Sequence, residues 1–175
     1  MLYYYGKNNN TGAVINLDWE KAFDRVNWTF LIKIMKKMGF PAFIIDWVLI
    51  LHNNIQSVCM INGNITIPFD IKRGVRQGCP MSMIFYTIFQ EPLYRAIEIS
   101  NKILPPKLPA KKVKNLGYAD DTSIFVSNDT SFIECFEIIA KFGQASNAKL
   151  NVAKTKVYRF GLWNQRVNWP IDVIH

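Results

Sequence analysis

Residues 113–127, Val-Lys-Asn-Leu-Gly-Tyr-Ala-Asp-Asp-Thr-Ser-Ile-Phe-Val-Ser, decide the fold. Two β-like runs, 113–118 and 122–127, flank Ala119-Asp120-Asp121, so a pair of carboxylates rides on the bend between hydrophobic strands. A second apolar run, Ala13-Val14-Ile15-Asn16-Leu17, ends at Asp18 and reads as a buried strand with a carboxylate at its tip. Carboxylates in such company need a reason. Two unit charges about 4 Å apart repel by roughly 4 kcal/mol at an effective dielectric near 20, so three converging acids call for cations between them. Mg²⁺ suits that task, because it prefers carboxylate, phosphate and water oxygens and rarely takes a complete protein cage. The plainer reading of Asp120-Asp121 is an Asx-type turn, where acids are common without any metal.

Between these runs the period changes. From Trp28 onward Phe30, Leu31, Ile34, Met35 and Met38 share one helical face, with Lys33, Lys36 and Lys37 opposite. Gly39 is positioned to end that helix in a left-handed cap. Pro41 can open a second helix with Ile44, Ile45, Val48 and Leu51 on its apolar face. The runs 56–61 and 65–71, separated by Asn62-Gly63-Asn64, predict a tight hairpin, since Asn-Gly supports positive φ angles. The loop Arg73-Gly74-Val75-Arg76-Gln77-Gly78-Cys79-Pro80 leads into a long apolar helix over about 80–99. A solvated connection follows at 101–114, with three prolines and five lysines. Phe132, Ile133, Phe136, Ile139 and Ala140 make a further amphipathic helix capped by Asp129 or Thr130, and 156–160 is a last strand. This order predicts an α+β fold, one domain over residues 1–175, with helices packed on one face of an antiparallel sheet.

Composition narrows the classes. Half of the 175 residues are hydrophobic and 14% are aromatic, which excludes global disorder. The Trp and Phe residues are read mostly as core. Lys and Arg number 21 against 13 acids, a net charge of +8 that favours a polyanionic partner. The apolar run 42–51 is broken by Asp46 and falls short of the roughly 20 residues that span a bilayer, so no membrane is expected. No signal segment opens the chain, and Cys59, Cys79 and Cys135 are widely spaced without metal-ligand spacing. Reduced thiols and an intracellular setting are the expectation.

Four blocks then occur in order: Leu17-Asp18-Trp19-Glu20-Lys21-Ala22-Phe23-Asp24-Arg25-Val26; residues 73–80; Tyr118-Ala119-Asp120-Asp121; and residues 143–156, Gly-Gln-Ala-Ser-Asn-Ala-Lys-Leu-Asn-Val-Ala-Lys-Thr-Lys. Together they resemble the core of reverse transcriptases, specifically those of non-LTR (LINE-type) retrotransposons, over about residues 12–160. An RRM-like module lacks support because its RNP block is missing, and a nucleotide cyclase does not account for residues 73–80.

The resemblance implies a polymerase palm that adds dNTP to a DNA primer on an RNA template. It makes Asp18, Asp120 and Asp121 the catalytic triad and the ligands of two Mg²⁺ ions, with Mn²⁺ as a substitute. Phe23 matches the aromatic residue beneath the incoming sugar, where a ring excludes a ribose 2′-OH; a core phenylalanine is the competing reading. Gln77 and Gly78 match residues at the incoming nucleotide, Arg76 could meet phosphate or template, and Lys154 matches a lysine able to protonate the leaving pyrophosphate. Lys107, Lys111, Lys112 and Lys114 could attract a nucleic-acid backbone, or merely solvate the surface. Measured against the family's blocks, the fingers are incomplete and the thumb is absent. Weak or absent activity is then expected of the isolated chain, and a catalytically inactive fragment that keeps the fold, with weak or no nucleic-acid binding, is the alternative.

Overall fold

The computed structural model describes residues 11–106 and 112–165. Its centre is a four-stranded antiparallel sheet of order β6-β7-β1-β8, built from β1 (Gly12–Leu17), β6 (Asn115–Tyr118), β7 (Asp121–Val126) and β8 (Lys156–Phe160). In β1 and β7 the residues Ala13, Ile15 and Leu17 stand opposite Val126, Ile124 and Thr122, and all six are buried. Alternation puts Asn16 and Ser123 on the other face, where the Ser123 hydroxyl donates to Asn16 Oδ1 at 2.9 Å.

Four α-helices accompany the sheet: α1 (Trp28–Lys37), α2 (Ala42–His52), α3 (Pro80–Ile99) and α4 (Asp129–Ser146). Helix α3 packs against both α1 and α4, and its buried residues Phe85, Phe89, Leu93 and Ile97 repeat at helical spacing. Pro92 lies inside α3. An interior proline costs about 3 kcal/mol, whereas a fully buried Leu or Ile returns about 1.5–3 kcal/mol, so Leu93 and Ile97 together carry the helix through it.

The predicted elements recur with small changes. Helix α1 ends as expected: Gly39 has φ +79°, and Phe40 N–H reaches back to Met35 O at 3.1 Å. The Asn62-Gly63 turn has positive φ at both residues and joins β3 (Met60–Ile61) to β4 (Asn64–Ile65), while β2 (Gln56–Ser57) pairs with β5 (Phe69–Asp70). Helix α4 is capped one residue earlier than expected, by Asn128, whose side chain accepts from Ser131 N. Other departures concern what covers an apolar face. Phe43, Trp47 and Leu51 are exposed rather than core, because α2 contributes only Ile45 and Val48 to the interior, and Met38, at the C-cap of α1, is exposed as well. Lys107 and Lys111 lie outside the described residues, and Lys114 is committed to structure, donating to the carbonyls of Glu98 and Ser100 at 2.7 Å. No described helix is long and apolar enough to cross a membrane.

Candidate active site

The β1–β7 register brings the two carboxylate-bearing segments side by side. Leu17 pairs with Thr122, so Asp18 and Asp121 are the next residues outward on neighbouring strands. Leu17 and Trp19 are buried and Asp18, between them, is half-exposed, which carries the alternation past the strand end. Tyr118 pairs with Asp121, leaving Ala119 and Asp120 as a two-residue loop with Ala119 at φ +52°. An alanine in the left-handed region is strained, and its surroundings must hold it there.

The segment 149–155 fastens Asp18 from the other side. Asn151 N–H donates to Asp18 O at 2.8 Å, Asp18 N–H donates to Thr155 Oγ1 at 3.2 Å, and Glu20 N–H donates to Lys149 O at 2.9 Å. Thr155 is itself buried and donates to Asn151 O. Lys154, next to it, is exposed.

Phe23, Gln77 and Gly78 line one cleft of about 580 Å³ at the N-terminal end of α3, together with Cys79, Pro80, Ser82 and Met83. Its floor is rigid. Gly74 N–H donates to Val26 O, Val75 N–H donates to Phe23 O, and the Trp28 indole N–H donates to Gly74 O at 2.7 Å. Ser82 Oγ donates to Arg76 O at 2.5 Å and closes the loop onto the helix start. Arg76 lines a neighbouring, larger cleft of about 1430 Å³ with Lys21, Arg25, Lys72 and Arg73, where basic groups outnumber the acids Glu20, Asp24 and Asp70. Gln77 reaches both clefts.

Three hard oxygen donors, Asp18, Asp120 and Asp121, match a divalent cation in chemistry. Among the described residues none of the three side chains has a hydrogen bond or ion pair that would neutralise it. Nor do any three His, Cys, Asp or Glu side chains stand close enough together there to hold a metal ion. The backbone brings the acids to one end of the sheet without the three carboxyl groups forming such a cluster. Behind them, burial first and then the Asp120 charge raise the proton affinity of Tyr86, and Tyr94 is raised chiefly by burial. Both phenols therefore stay neutral and keep an O–H to donate.

Two residues at this site were given no role by the sequence motifs. Thr155 lies inside the fourth block without one. The other is Gln90, outside every block, which is 1% exposed in the middle of an otherwise apolar helix face. The usable signal was a ladder of Tyr86, Gln90 and Tyr94 at intervals of four, which puts three polar tips on one side of α3.

A small antiparallel sheet with paired acids at its β6–β7 turn, backed by helices, defines the palm of a nucleic-acid polymerase. The fold is shared with telomerase from Candida tropicalis, solved with a TWJ fragment of telomeric RNA (TM-score 0.61, 17% identity, 89% of this chain and 27% of that one). Telomerase from Candida albicans, in the corresponding complex, covers 98% of this chain and 30% of its own (TM-score 0.61, 16% identity). Residues 4–170 match the family described as reverse transcriptase (RNA-dependent DNA polymerase), and the chain belongs to that family. Curated relatives are non-LTR retrotransposon proteins. A 149 kDa protein of transposon TX1 from Xenopus laevis is 31% identical over 89% of this chain. A Pol polyprotein from the type-1 retrotransposable element R2 of Popillia japonica is 26% identical over 74%. The aligned region spans 12% and 22% of those two proteins.

Proposed function

We propose that this chain is the palm of an RNA-directed DNA polymerase that transfers a deoxynucleotide from dNTP to a primer 3′-hydroxyl on an RNA template. The observation that carries the reading is the pairing of Leu17 with Thr122, which makes Asp18 and Asp121 neighbours although they lie far apart in sequence. The cleft shared by Phe23, Gln77 and Gly78 supports it.

Asp18, Asp120 and Asp121 are the residues that would hold Mg²⁺, or Mn²⁺ in its place. Bound there, a divalent cation supplies Lewis-acid polarisation and neutralises charge on the triphosphate. The protein's own residues do the rest. Phe23 offers a ring edge where a ribose 2′-OH would have to fit, and so selects deoxyribose. Gln77 orients the incoming nucleotide, and Gly78 lets the backbone approach it closely. The N–H groups at the start of α3 favour an anion beside that cleft. Arg76, with the basic cleft around it, meets phosphate of the template or the nucleotide. Lys154 is the proton donor assigned to the departing pyrophosphate.

Primer extension on an RNA template, with Asp120→Asn as control, tests this. Extension by the parent chain that is lost in Asp120→Asn is the expected result; extension that survives the substitution overturns it. One observation favours a second reading, a palm that binds nucleic acid without turnover: among the described residues the three carboxyl groups do not form a cluster able to hold a metal ion. Intact folding and Mg²⁺ binding with no extension would select that reading.

A further inference from the structure

The Gln90 carboxamide stands where helix α3 meets the end of β1 and the β6–β7 turn. Its orientation follows from two neighbours that have no choice of role: the Ala119 carbonyl can only accept and the Trp19 indole N–H can only donate. With the amide set accordingly, Nε2 donates to Ala119 O at 2.7 Å and to Tyr94 Oη at 2.6 Å, while Oε1 accepts from Trp19 Nε1 at 3.1 Å and Tyr86 Oη at 3.0 Å. Tyr94 Oη lies 3.0 Å from Thr122 Oγ1, a hydrogen bond in which either hydroxyl can donate, and so links the amide to β7. All four hydrogen-bonding positions of the amide are filled, as a buried polar group requires.

Three of the four partners adjoin a residue of the proposed site directly, and the fourth, Tyr94, does so through Thr122. Trp19 follows Asp18, Ala119 precedes Asp120, Thr122 follows Asp121, and the Tyr86 ring is stacked on that of Phe23 with centroids 4.9 Å apart. The strained Ala119, at φ +52°, has its carbonyl held by this amide. Gly117 leaves the room the ladder needs, since a Cβ there would overlap the Tyr94 hydroxyl.

We propose that Gln90 is a positioning residue that ties the strand end bearing Asp18 to the turn bearing Asp120-Asp121 and, through Tyr86, to the Phe23 ring. The consequence for the site rests on the polymerase reading; the tie itself does not. Gln90→Met keeps volume and helix propensity and removes all four bonds. Amide hydrogen exchange of the whole chain is the first readout, with Mg²⁺ affinity by calorimetry the second. In Gln90→Met, exchange at Trp19 and at Ala119–Asp121 should quicken about tenfold, the size expected for losing a buried hydrogen bond. This must exceed the change in the slowest core amides, and Mg²⁺ affinity should fall in parallel. Exchange that changes only in step with global unfolding overturns the proposal, because Gln90 would then be an ordinary core residue.

If Gln90→Met does not fold, Trp19→Phe carries the test. Trp19 meets the Phe142 ring edge-on, 5.8 Å between centroids; the substitution keeps an aromatic ring there and removes one donor, so it should loosen residues 18–20 and spare the 119–121 turn. Equal protection of residues 18–20 in Trp19→Phe and in the parent overturns the proposal. Should the parent chain bind no Mg²⁺, or Asp120→Asn leave that binding unchanged, the metal reading falls and the exchange results still decide the tie.

Discussion

The ring of Phe23 lies on the ring of Tyr86, 4.9 Å between centroids and 23° from parallel. Phe23 is half-buried and Tyr86 fully so, which leaves the outer edge of the phenylalanine facing the cleft it shares with Gln77 and Gly78. A ring backed in this way cannot swing aside, and on the proposed reading that is what would exclude a bulkier sugar. Phe23→Val should therefore raise ribonucleotide use relative to deoxynucleotide by at least about tenfold in an active, extended protein. Unchanged sugar discrimination would return Phe23 to the role of a packing residue.

Gly74 and Gly78 both have positive φ, at +95° and +84°, but differ in their surroundings. A Cβ at Gly74 would come within 2.9 Å of Asp24 O, whereas nothing lies within 4 Å of one at Gly78. Gly74→Ala should cost about 1–3 kcal/mol, strain and contact combined, and Gly78→Ala only about 1 kcal/mol from backbone strain. Urea titrations with unchanged slopes would show the difference as unequal midpoint shifts.

Asp120 and Asp121 are adjacent, exposed and without a neutralising partner among the described residues. In buffer free of divalent ions, Asp120→Asn should melt no lower than the parent chain, and slightly higher at low ionic strength. The gap should close as salt screens the repulsion. A lowered melting point would mean that the carboxylate is held by a structural partner.

Cys135 is buried in α4, and burial pushes its thiol up to about 12 from an ordinary 9.0. The raised value disfavours the thiolate in the folded state. Its contribution to stability is thus complete below about pH 9 and is lost as pH rises from there toward 12. Native protein treated with a thiol reagent should react at the exposed Cys59 and Cys79, and at Cys135 only on unfolding. A Cys135→Ser chain should show less loss of stability above pH 9.

Local pattern was enough for much of the fold. The apolar run before Asp18, the strands on either side of Asp120-Asp121, the Asn62-Gly63 turn and the glycine end of α1 were readable because each is a short-range preference of the backbone. Periodicity named apolar faces without saying what lies against them, so Met38, Phe43, Trp47 and Leu51 were expected inside and stand outside. The Asn128 cap was missed by one residue because Asn, Asp and Thr are near-equal caps on propensity alone.

By itself the sequence determined the kind of protein: an α+β palm whose ordered blocks carry acids on strand ends and a glycine-bearing loop before a helix. Tertiary structure alone decided which residues meet. It set Asp18 beside Asp121 through the Leu17–Thr122 pair, seated Thr155 on the Asp18 backbone, and buried Gln90 between Trp19 and Ala119. The physical reason is range. Helix and turn preferences act over a few residues, whereas the partners of a buried hydrogen bond are chosen by how the helices settle on the sheet. For Gln90 those partners come from the first strand's end and the β6–β7 turn, and only the packed core brings them within 3.1 Å.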